Sequence, residues 1–243
     1  QVKLINFMFS IIVIIPVYNE EKTLLEMLAK YSPLKKNTDI ELIIVNDGSN
    51  DNTKNLIENN SSMFDKVIHL SKNQGKGKAV REGLKIAKNE YIFIQDADLE
   101  YDPNDLNNFI KLAKTNNSDF VMGSRFSSTT TTPLLDILGN KLVTLIFNVI
   151  NNASFSDICC CYCLFKKNNL PITHLKSDGW GQHIEILTYV LYNSKKMVET
   201  PVYYNGRKIS EGKKIRYRHV FEIIYFIIFS KIMILFKRKK LVI

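Results

Sequence analysis

Short, nearly continuous apolar runs that alternate with amphipathic stretches most strongly limit how this chain can fold. The first half contains five such runs, and each of the first four is followed by apolar residues at helical spacing. The predicted strands there are 11–15, 40–45, 67–70, 91–94 and 120–122, and the predicted helices are 20–31, 51–58, 77–88 and 103–114. Strands buried on both faces and separated by helices are typical of a doubly wound, mostly parallel α/β sheet with flanking helices.

The alternation changes beyond residue 125. A Ser/Thr tract at 127–132 predicts a loop. The remaining predicted elements are a helix at 134–150, a strand at 162–165, a helix at 184–191 and a strand at 198–204. Because Pro201 cannot donate a backbone hydrogen bond, we expect the last strand at an edge of the sheet.

Three carboxylates follow the predicted strand at 91–94. Asp96 and Asp98 are one residue apart, and Glu100 comes two residues later. Divalent cations such as Mg²⁺ and Mn²⁺ prefer oxygen ligands, and a bound cation can hold a diphosphate. The spacing therefore predicts a site for a nucleotide-linked substrate, with a polar turn after a buried strand as the alternative. Because Asn19 and Asp47 also follow predicted strands, we expect them to face the same crevice.

Basic residues are concentrated near the C-terminus. The chain has 33 Lys and Arg against 24 Asp and Glu, and residues 207–240 alone contain eleven basic and two acidic residues. This region therefore accounts for the whole net charge of +9. A local basic surface suits phosphate groups or an anionic membrane. We do not expect nucleic acid as a partner, because zinc-finger spacing, RNA-binding signatures and basic-zipper heptads are missing.

An apolar segment of 17 residues, 220–236, lies within the basic region and contains Glu222 and Lys231. Its length is near the lower limit for crossing a bilayer. With basic residues at both ends, the segment is typical of a helix that lies in the membrane interface. A spanning helix and a helix packed in the protein core are the alternatives.

The four cysteines form one cluster, at Cys159, Cys160, Cys161 and Cys163. Adjacent cysteines seldom bridge each other, so we expect free, structural cysteines and a reduced, cytosolic setting. A zinc site is the weaker alternative, because such sites usually draw ligands from two separated pairs.

Five short motifs occur in order: PVYNEE (16–21), VNDGS (45–49), GKG (75–77), DADLE (96–100) and GSR (123–125). Together they resemble the family-2 inverting glycosyltransferases of the GT-A fold. Within that family the chain is most similar to the polyprenyl-phosphate (dolichyl-phosphate) mannosyl- and glucosyltransferases, over about residues 10–218. The resemblance implies a catalytic domain at 1–215, followed by a membrane-associating helix at 216–243.

The resemblance also implies roles for individual residues. Asp96, Asp98 and Glu100 match the metal and diphosphate motif, and the residues implied in nucleotide-sugar binding are Pro16, Tyr18, Glu20, Asp47, Lys76, Asp96, Ala97 and Asp98. The residues implied in catalysis are Asp98, Arg125, Asp157, Arg207 and Lys214, the last two from a basic loop that closes over phosphates. The chain departs from the family pattern at Asn46, where an aspartate is expected, and at Cys163, where a basic residue is expected.

Several of these residues also have structural interpretations. Asp47 can form a turn with Gly48, and the charges of Arg207 and Lys214 can simply be solvated. Glu185 can be a surface helix residue, and the only tryptophan, Trp180, can line a pocket or pack in the core.

The implied reaction is transfer of a hexose from UDP-glucose or GDP-mannose to a polyprenyl phosphate, with Mg²⁺ or Mn²⁺, at the cytoplasmic face of a membrane. A hydroxyl acceptor is the first alternative and would require a carboxylate base, with Asp157 or Glu185 as candidates. The second alternative is a catalytically silent module that binds nucleotide-sugars or membranes. The sequence does not distinguish the sugar, the nucleotide or the oligomeric state.

Overall fold

Seven strands form one sheet at the centre of the protein, in a computed structural model that describes residues 9–36, 38–127, 134–207 and 219–240. The strands are β1 (Ser10–Val17), β2 (Asp39–Asn46), β3 (Lys66–His69), β4 (Tyr91–Ile94), β5 (Phe120–Ser124), β6 (Cys163–Lys166) and β7 (Met197–Pro201). The α-helices of the described residues are α1 (Leu24–Ala29), α2 (Tyr31–Lys35), α3 (Thr53–Asn59), α4 (Lys76–Ile86), α5 (Leu106–Asn116), α6 (Leu134–Asn151), α7 (Gly181–Asn193) and α8 (His219–Lys240).

The strand order is β3-β2-β1-β4-β6-β5-β7, and the sheet is mostly parallel, as predicted. The exception is β6, which lies between β4 and β5 and is antiparallel to both. The strand that carries Pro201 lies at the edge of the sheet, which confirms the prediction from that proline. The sequence pattern identified β6 as a strand but did not predict its position between β4 and β5.

The core is built on β1, β2 and β4, whose apolar residues are buried on both faces of the sheet. Helix α4 packs closely on β1 and β2 because its Gly83 has no side chain: a Cβ atom there would lie 2.7 Å from Cγ2 of Ile14. This close contact brings the N-terminus of α4 to the carboxyl ends of the strands.

Several predicted helix boundaries differ from the structure, including that of α5, which begins at Leu106 after a 3₁₀ turn at Pro103–Asp105. The helix predicted at 20–31 is two short helices, α1 and α2, and Pro33 lies in the first turn of the second, where its missing N–H is tolerated. Helix α3 begins two residues later than predicted. Helix α7 begins three residues earlier, at Gly181, which places Trp180 at its N-terminal cap position.

Helix α8 contains the apolar C-terminal segment and packs on α7 and α6. Its buried residues include Phe226, Ile227 and Ile234. Within the described residues, His219–Phe236 is the helical stretch that is long and apolar enough to cross a membrane, with a mean hydropathy of 2.0. Only 22% of this stretch is buried inside the protein, so most of its apolar surface is free to contact lipid or another protein.

Candidate active site

The candidate active site is a cavity of about 360 Å³ at the carboxyl ends of β1, β2 and β4. Ligands of parallel α/β sheets bind at this edge. The predicted site residues that line the cavity are Pro16, Tyr18, Glu20, Asp47, Lys76, Asp96, Ala97, Asp98, Glu100, Arg125 and Arg207. Two other predicted residues do not contribute to the described wall: Asp157 lies behind it, and Lys214 lies outside the described residues.

The loop after β1 is fixed to the loop after β2. The backbone N–H of Asn19 donates to Ser49 Oγ at 3.0 Å, and its side chain accepts from the backbone N–H of Asn50 at 2.9 Å. Asn19 is thereby turned away from the cavity, which corrects the expectation that it faces the crevice. The neighbouring Glu20 donates its backbone N–H to Thr53 Oγ1 at 2.9 Å, and its side chain lines the cavity.

Asp47 holds the turn that precedes α4. Its two carboxylate oxygens each accept a backbone N–H at 2.8 Å, one from Gln74 and one from Gly75. Gly75 adopts a φ of 100°, which a side chain would disfavour. Burial raises the pKa of Asp47, although the two N–H donors oppose this shift. A direct contact between Asp47 and a nucleoside stays a prediction.

Asn46, at the position where the family pattern has an aspartate, is integrated into the same loop. Its Oδ1 accepts the backbone N–H of Ser49 at 3.0 Å, and its Nδ2 lies 3.1 Å from His69 Nδ1. In this arrangement the amide donates to an unprotonated ring nitrogen, a bond that an aspartate could not form with the same tautomer. The asparagine is therefore matched to His69 on the neighbouring strand.

Lys76, the first residue of α4, forms an ion pair with Asp96 in the cavity. Its Nζ lies 2.6 Å from Asp96 Oδ1 and 3.6 Å from Cys161 Sγ. The ammonium also lies 5.3 Å from the centre of the Trp180 ring, within cation–π range. Burial tends to raise the pKa of Asp96, but the charge and hydrogen bond of Lys76 outweigh it and lower that pKa.

The carboxylate of Asp98 has a strongly raised pKa. Burial, followed by the charges of Asp96 and Glu100, raises the pKa of Asp98 to about 7, although Arg207 opposes the shift. The next residue, Leu99, has a φ of 61°, which is rare for a residue with a bulky side chain. Strained backbone of this kind occurs at ligand sites, where the surrounding structure maintains it.

Arg207 binds three carboxylates at once. Its guanidinium lies 2.8 Å from Asp98 Oδ2, 3.3 Å from Glu20 Oε2 and 3.6 Å from Glu100 Oε1. Glu100 also accepts the Arg207 backbone N–H at 2.9 Å and the Tyr204 hydroxyl at 3.0 Å. Both oxygens of Glu100 are therefore engaged by the protein itself.

These contacts involve the three carboxylates of the predicted metal site, and their role as metal ligands stays a prediction. Among the described residues, no three His, Cys, Asp or Glu side chains are arranged to hold a metal ion. The predicted set of Asp96, Asp98 and Glu100 is not assembled, because Lys76 binds the first carboxylate and Arg207 binds the other two. Asp96 and Asp98 still face the cavity with oxygen atoms suited to a hard divalent cation.

Arg125 is fixed in the cavity wall by Asp157. The guanidinium forms a two-pronged ion pair, with distances of 2.7 Å from Nε to Oδ2 and 2.8 Å from Nη2 to Oδ1. Asp157 is fully buried, and it also accepts the backbone N–H groups of Arg125 and Cys159 at 3.1 Å. Asp157 thus orients Arg125, and the predicted catalytic role of either residue stays a prediction.

Several residues on the cavity wall were not predicted as site residues. They are Val17, Asn73, Gly75, Ala79, Tyr101, Cys159, Cys161, Gly179, Trp180 and Tyr204. Tyr101 and Tyr204 pair across an isolated β-bridge, a contact between residues about a hundred positions apart that no local pattern reveals. Trp180 is the exception, because a lone tryptophan beside two glycines is a visible signal of a pocket or a packing site.

The carboxylate Glu185, a base candidate for a hydroxyl acceptor, is fully buried outside the cavity wall. Its oxygens accept the backbone N–H groups of Lys176 and Ser177 at 2.7–3.0 Å. Glu185 therefore holds the segment before α7 rather than facing a substrate.

The fold and the cavity define an α/β protein with a charged crevice at the carboxyl ends of its parallel strands. Residues 12–170 match the family model described as glycosyl transferase family 2. This match covers more than half of the chain, and the protein therefore belongs to glycosyl transferase family 2.

Curated relatives are consistent with this assignment. A dolichyl-phosphate beta-glucosyltransferase of Trichomonas vaginalis is 31% identical over 210 residues, which cover 79% of this chain and 64% of that protein. A dolichol-phosphate mannosyltransferase of Pyrococcus furiosus is 35% identical over 115 residues, which cover 47% of this chain and 32% of that protein. The chain thus spans less than two thirds of the length of these relatives.

Solved structures share the fold. Glucosyl-3-phosphoglycerate synthase from Mycobacterium tuberculosis, in complex with Mn²⁺, UDP-glucose and phosphoglyceric acid, superimposes with a TM-score of 0.67. The match has 16% sequence identity and covers 91% of this chain and 79% of that one. At this level of identity the comparison shows the fold alone, and it confirms the GT-A architecture expected from the motifs.

Proposed function

We propose that the protein transfers a hexose from UDP-glucose or GDP-mannose to a polyprenyl phosphate of the dolichyl type, with inversion at the anomeric carbon. One observation carries the proposal: a single cavity places the carboxylates Asp96 and Asp98 beside the cations Lys76, Arg125 and Arg207. Carboxylates suit a metal ion, and the cations suit the two phosphate groups that must approach each other. The names of the two relatives support the choice of acceptor.

The acidic residues fit a divalent cation held in part by the substrate. Mg²⁺ and Mn²⁺ sites for nucleotides often use one or two carboxylates, with phosphate oxygens completing the coordination. Asp96 and Asp98 would supply those carboxylates. Burial, followed by the charges of Asp96 and Glu100, raises the pKa of Asp98, and a bound cation would compensate those charges. When bound, Mg²⁺ or Mn²⁺ would neutralise charge that develops on the leaving diphosphate.

The protein's own cations have distinct parts in the proposal. Arg125 is held rigidly by Asp157, so it can stabilise developing charge without reorganising during the reaction. Lys76 and Arg207 are bound to carboxylates and can exchange these partners for phosphate oxygens. Lys214 is proposed as a further phosphate donor from the sequence alone.

The cavity favours a phosphate acceptor over a hydroxyl acceptor. A hydroxyl must lose a proton to a general base, whereas a phosphate is already ionised near neutral pH. Among the described residues, the Asp and Glu side chains of the wall accept bonds from lysine, arginine or backbone N–H groups. The remaining wall residues are the cations Lys76, Arg125 and Arg207, together with asparagine, tyrosine, thiol, glycine and apolar residues.

The proposed acceptor is a lipid, and two helices present apolar surface that suits a membrane. On α8, side chains at helical spacing are exposed, and they are Phe221, Tyr225, Ile228, Ile232 and Leu235. On α6, which packs against α8, the exposed stripe consists of Leu138, Leu142, Leu145 and Val149. We propose that α8, as part of the predicted unit 216–243, associates with the cytoplasmic face of a membrane while 1–215 carries the chemistry.

The test is transfer of label from radiolabelled UDP-glucose or GDP-mannose to polyprenyl phosphate. Label should enter the organic phase only when Mg²⁺ or Mn²⁺ is present, and the donor that works identifies the sugar and the nucleotide. Transfer to a hydroxyl acceptor instead would contradict the proposed acceptor. Nucleotide binding without transfer from any common donor would indicate a silent binding module.

A further inference from the structure

Residues 177–181, here called the bridging segment, connect the cavity to the C-terminal helix. Gly179 and Trp180 of this segment line the cavity. The indole ring lies against the ammonium of Lys76, which in turn binds Asp96 at 2.6 Å. The position of the bridging segment therefore influences where the Lys76 charge lies in the candidate site.

Helix α8 holds this segment through one carboxylate. Glu222 Oε1 accepts the Ser177 hydroxyl and the backbone N–H of Gly181, both at 3.0 Å. Gly181 is the first residue of α7, and N–H groups in the first turn of a helix have no partner within that helix. Glu222 thus caps α7 from a neighbouring helix and places negative charge at its N-terminus.

This role explains why a carboxylate interrupts the apolar segment 220–236. Glu222 is turned toward α7, and a Cβ atom on Gly179 would lie only 2.6 Å from its Oε1. The ring of Phe226, one turn later, packs directly on Gly181. The two glycines therefore let α8 approach the bridging segment closely.

The opposite side of the bridging segment is fixed by α4. Arg81 donates to the carbonyl of Ser177 at 3.0 Å and pairs with the carboxylate of Asp178. The backbone N–H of Lys78 donates to the carbonyl of Asp178 at 3.2 Å. The segment is thus clamped between the helix that begins at Lys76 and the helix proposed to contact the membrane.

We propose that Glu222 is a positioning residue for the cavity, acting through the bridging segment on Trp180 and Lys76. The seating of α8 against α7 is thereby linked to the affinity of the cavity for a nucleoside diphosphate. This inference rests on the proposed function, because it takes a nucleoside diphosphate to be the ligand beside Lys76.

The experiment compares Glu222→Ala, Glu222→Gln and Ser177→Ala with the unaltered protein. Trp180 is the only tryptophan, so its emission maximum and its quenching by acrylamide report on the bridging segment. Binding of UDP or GDP in the presence of Mn²⁺ is measured by calorimetry. Folding of each variant is checked by far-UV circular dichroism during urea unfolding.

Glu222→Ala should shift the Trp180 emission to longer wavelength, increase its quenching and weaken nucleotide binding by about tenfold, as expected when a part-buried acceptor of two hydrogen bonds is lost. Glu222→Gln keeps an acceptor oxygen and should bind nucleotide within about twofold of the unaltered protein. Ser177→Ala removes one of the two hydrogen bonds to Glu222. It should change the Trp180 fluorescence and the nucleotide affinity in the same direction as Glu222→Ala, but by a smaller amount. Ile228→Ala, on the exposed face of α8, is the control and should change neither the Trp180 fluorescence nor the nucleotide affinity.

A folded Glu222→Ala protein with unchanged emission and unchanged nucleotide affinity would overturn the inference. If Glu222→Ala does not fold, Ser177→Ala decides, and unchanged emission and affinity in that variant overturn it. Equal nucleotide binding in all variants overturns this inference alone. Failure of the unaltered protein to bind either nucleotide overturns the proposed function and this inference with it.

Discussion

Asp98 is the residue on which the proposed chemistry depends most. Its carboxylate faces the cavity, its pKa is raised, and the residue after it, Leu99, has a positive φ that the fold maintains. Glu100, by contrast, is occupied in holding Arg207 and Tyr204. At this scale the structure distinguishes Asp98, the carboxylate proposed to bind a metal ion, from Glu100, which organises the wall.

Replacing Asp98 with Asn should reduce turnover by at least about a thousandfold and weaken metal-dependent nucleotide binding, because a neutral amide binds a divalent cation poorly. The measurement is the labelled transfer assay together with calorimetry of UDP or GDP with Mn²⁺. Asp102→Asn is the control, since Asp102 lies nearby but outside the cavity wall and caps a short 3₁₀ turn. Unchanged turnover in Asp98→Asn would contradict the proposed role.

Arg207→Ala should slow transfer by about a hundredfold while weakening nucleotide binding by less than tenfold. The reason is that Arg207 is proposed to meet charge that is greatest when both phosphates are close, a state formed during transfer. Steady-state kinetics and nucleotide binding are measured on the same preparations. Arg207→Lys keeps the charge but loses the forked guanidinium that reaches Glu20 and Asp98. Its transfer rate should lie between those of the unaltered protein and Arg207→Ala. Equal losses in both quantities would argue against a role at the acceptor.

At the scale of elements, α6 and α8 pack together and both carry exposed apolar side chains, although the sequence drew attention to α8 alone. The pattern of α6 identifies a helix, but only its packing against α8 shows which of its faces is left outside.

Replacing Leu142 and Leu145 with Glu should reduce binding to vesicles that contain anionic lipid by about tenfold or more. Burying a carboxylate in the acyl region is costly, and the apolar area that α6 contributes is lost. Flotation with such vesicles measures the effect, and nucleotide binding should be unchanged because α6 lies outside the cavity wall. Asn107→Glu, which adds a charge to an exposed position of α5, is the matched control. Vesicle binding that persists in the double variant would show that α6 does not contact the membrane.

At the scale of the whole molecule, a partly buried histidine links the core to pH. His183 on α7 lies with its Nε2 3.1 Å from the carbonyl oxygen of Ile158. Burial, followed by the Lys76 ammonium, lowers the pKa of His183 to about 4, while Asp96 and Asp157 oppose the shift. The folded protein therefore takes up this proton at lower pH than the unfolded chain does.

This difference predicts how stability depends on pH. Above about pH 6.5 the histidine is neutral in both states and has no effect. As the pH falls from about 6.5 to about 4, the unfolded chain binds a proton that the folded protein does not, so the free energy of unfolding decreases by about 2 kcal/mol. His183→Gln should lack this decrease. Urea unfolding of both proteins across this pH range measures it, and parallel curves would contradict the assignment.

Much of this protein could be predicted from sequence because the relevant information is local. Apolar runs at 11–15 and 91–94 define buried strands, and carboxylates placed directly after a strand lie at its carboxyl end. The family resemblance located eleven of the residues that line the cavity. The strand and helix signals need only the period of side chains along an extended or helical backbone, and the motifs need only residues that are close in sequence.

The remaining features depend on contacts between distant parts of the chain. The insertion of β6 between β4 and β5, the binding of Asp96 and Asp98 by Lys76 and Arg207, and the capping of α7 by Glu222 join residues that are 20 to more than 100 positions apart. The sequence by itself determined the family, the sheet and the edge that carries the cavity. Which carboxylates are already paired, and why a glutamate lies within an apolar helix, were decided only in the tertiary structure, because a buried charge is tolerated only where the fold supplies its partner.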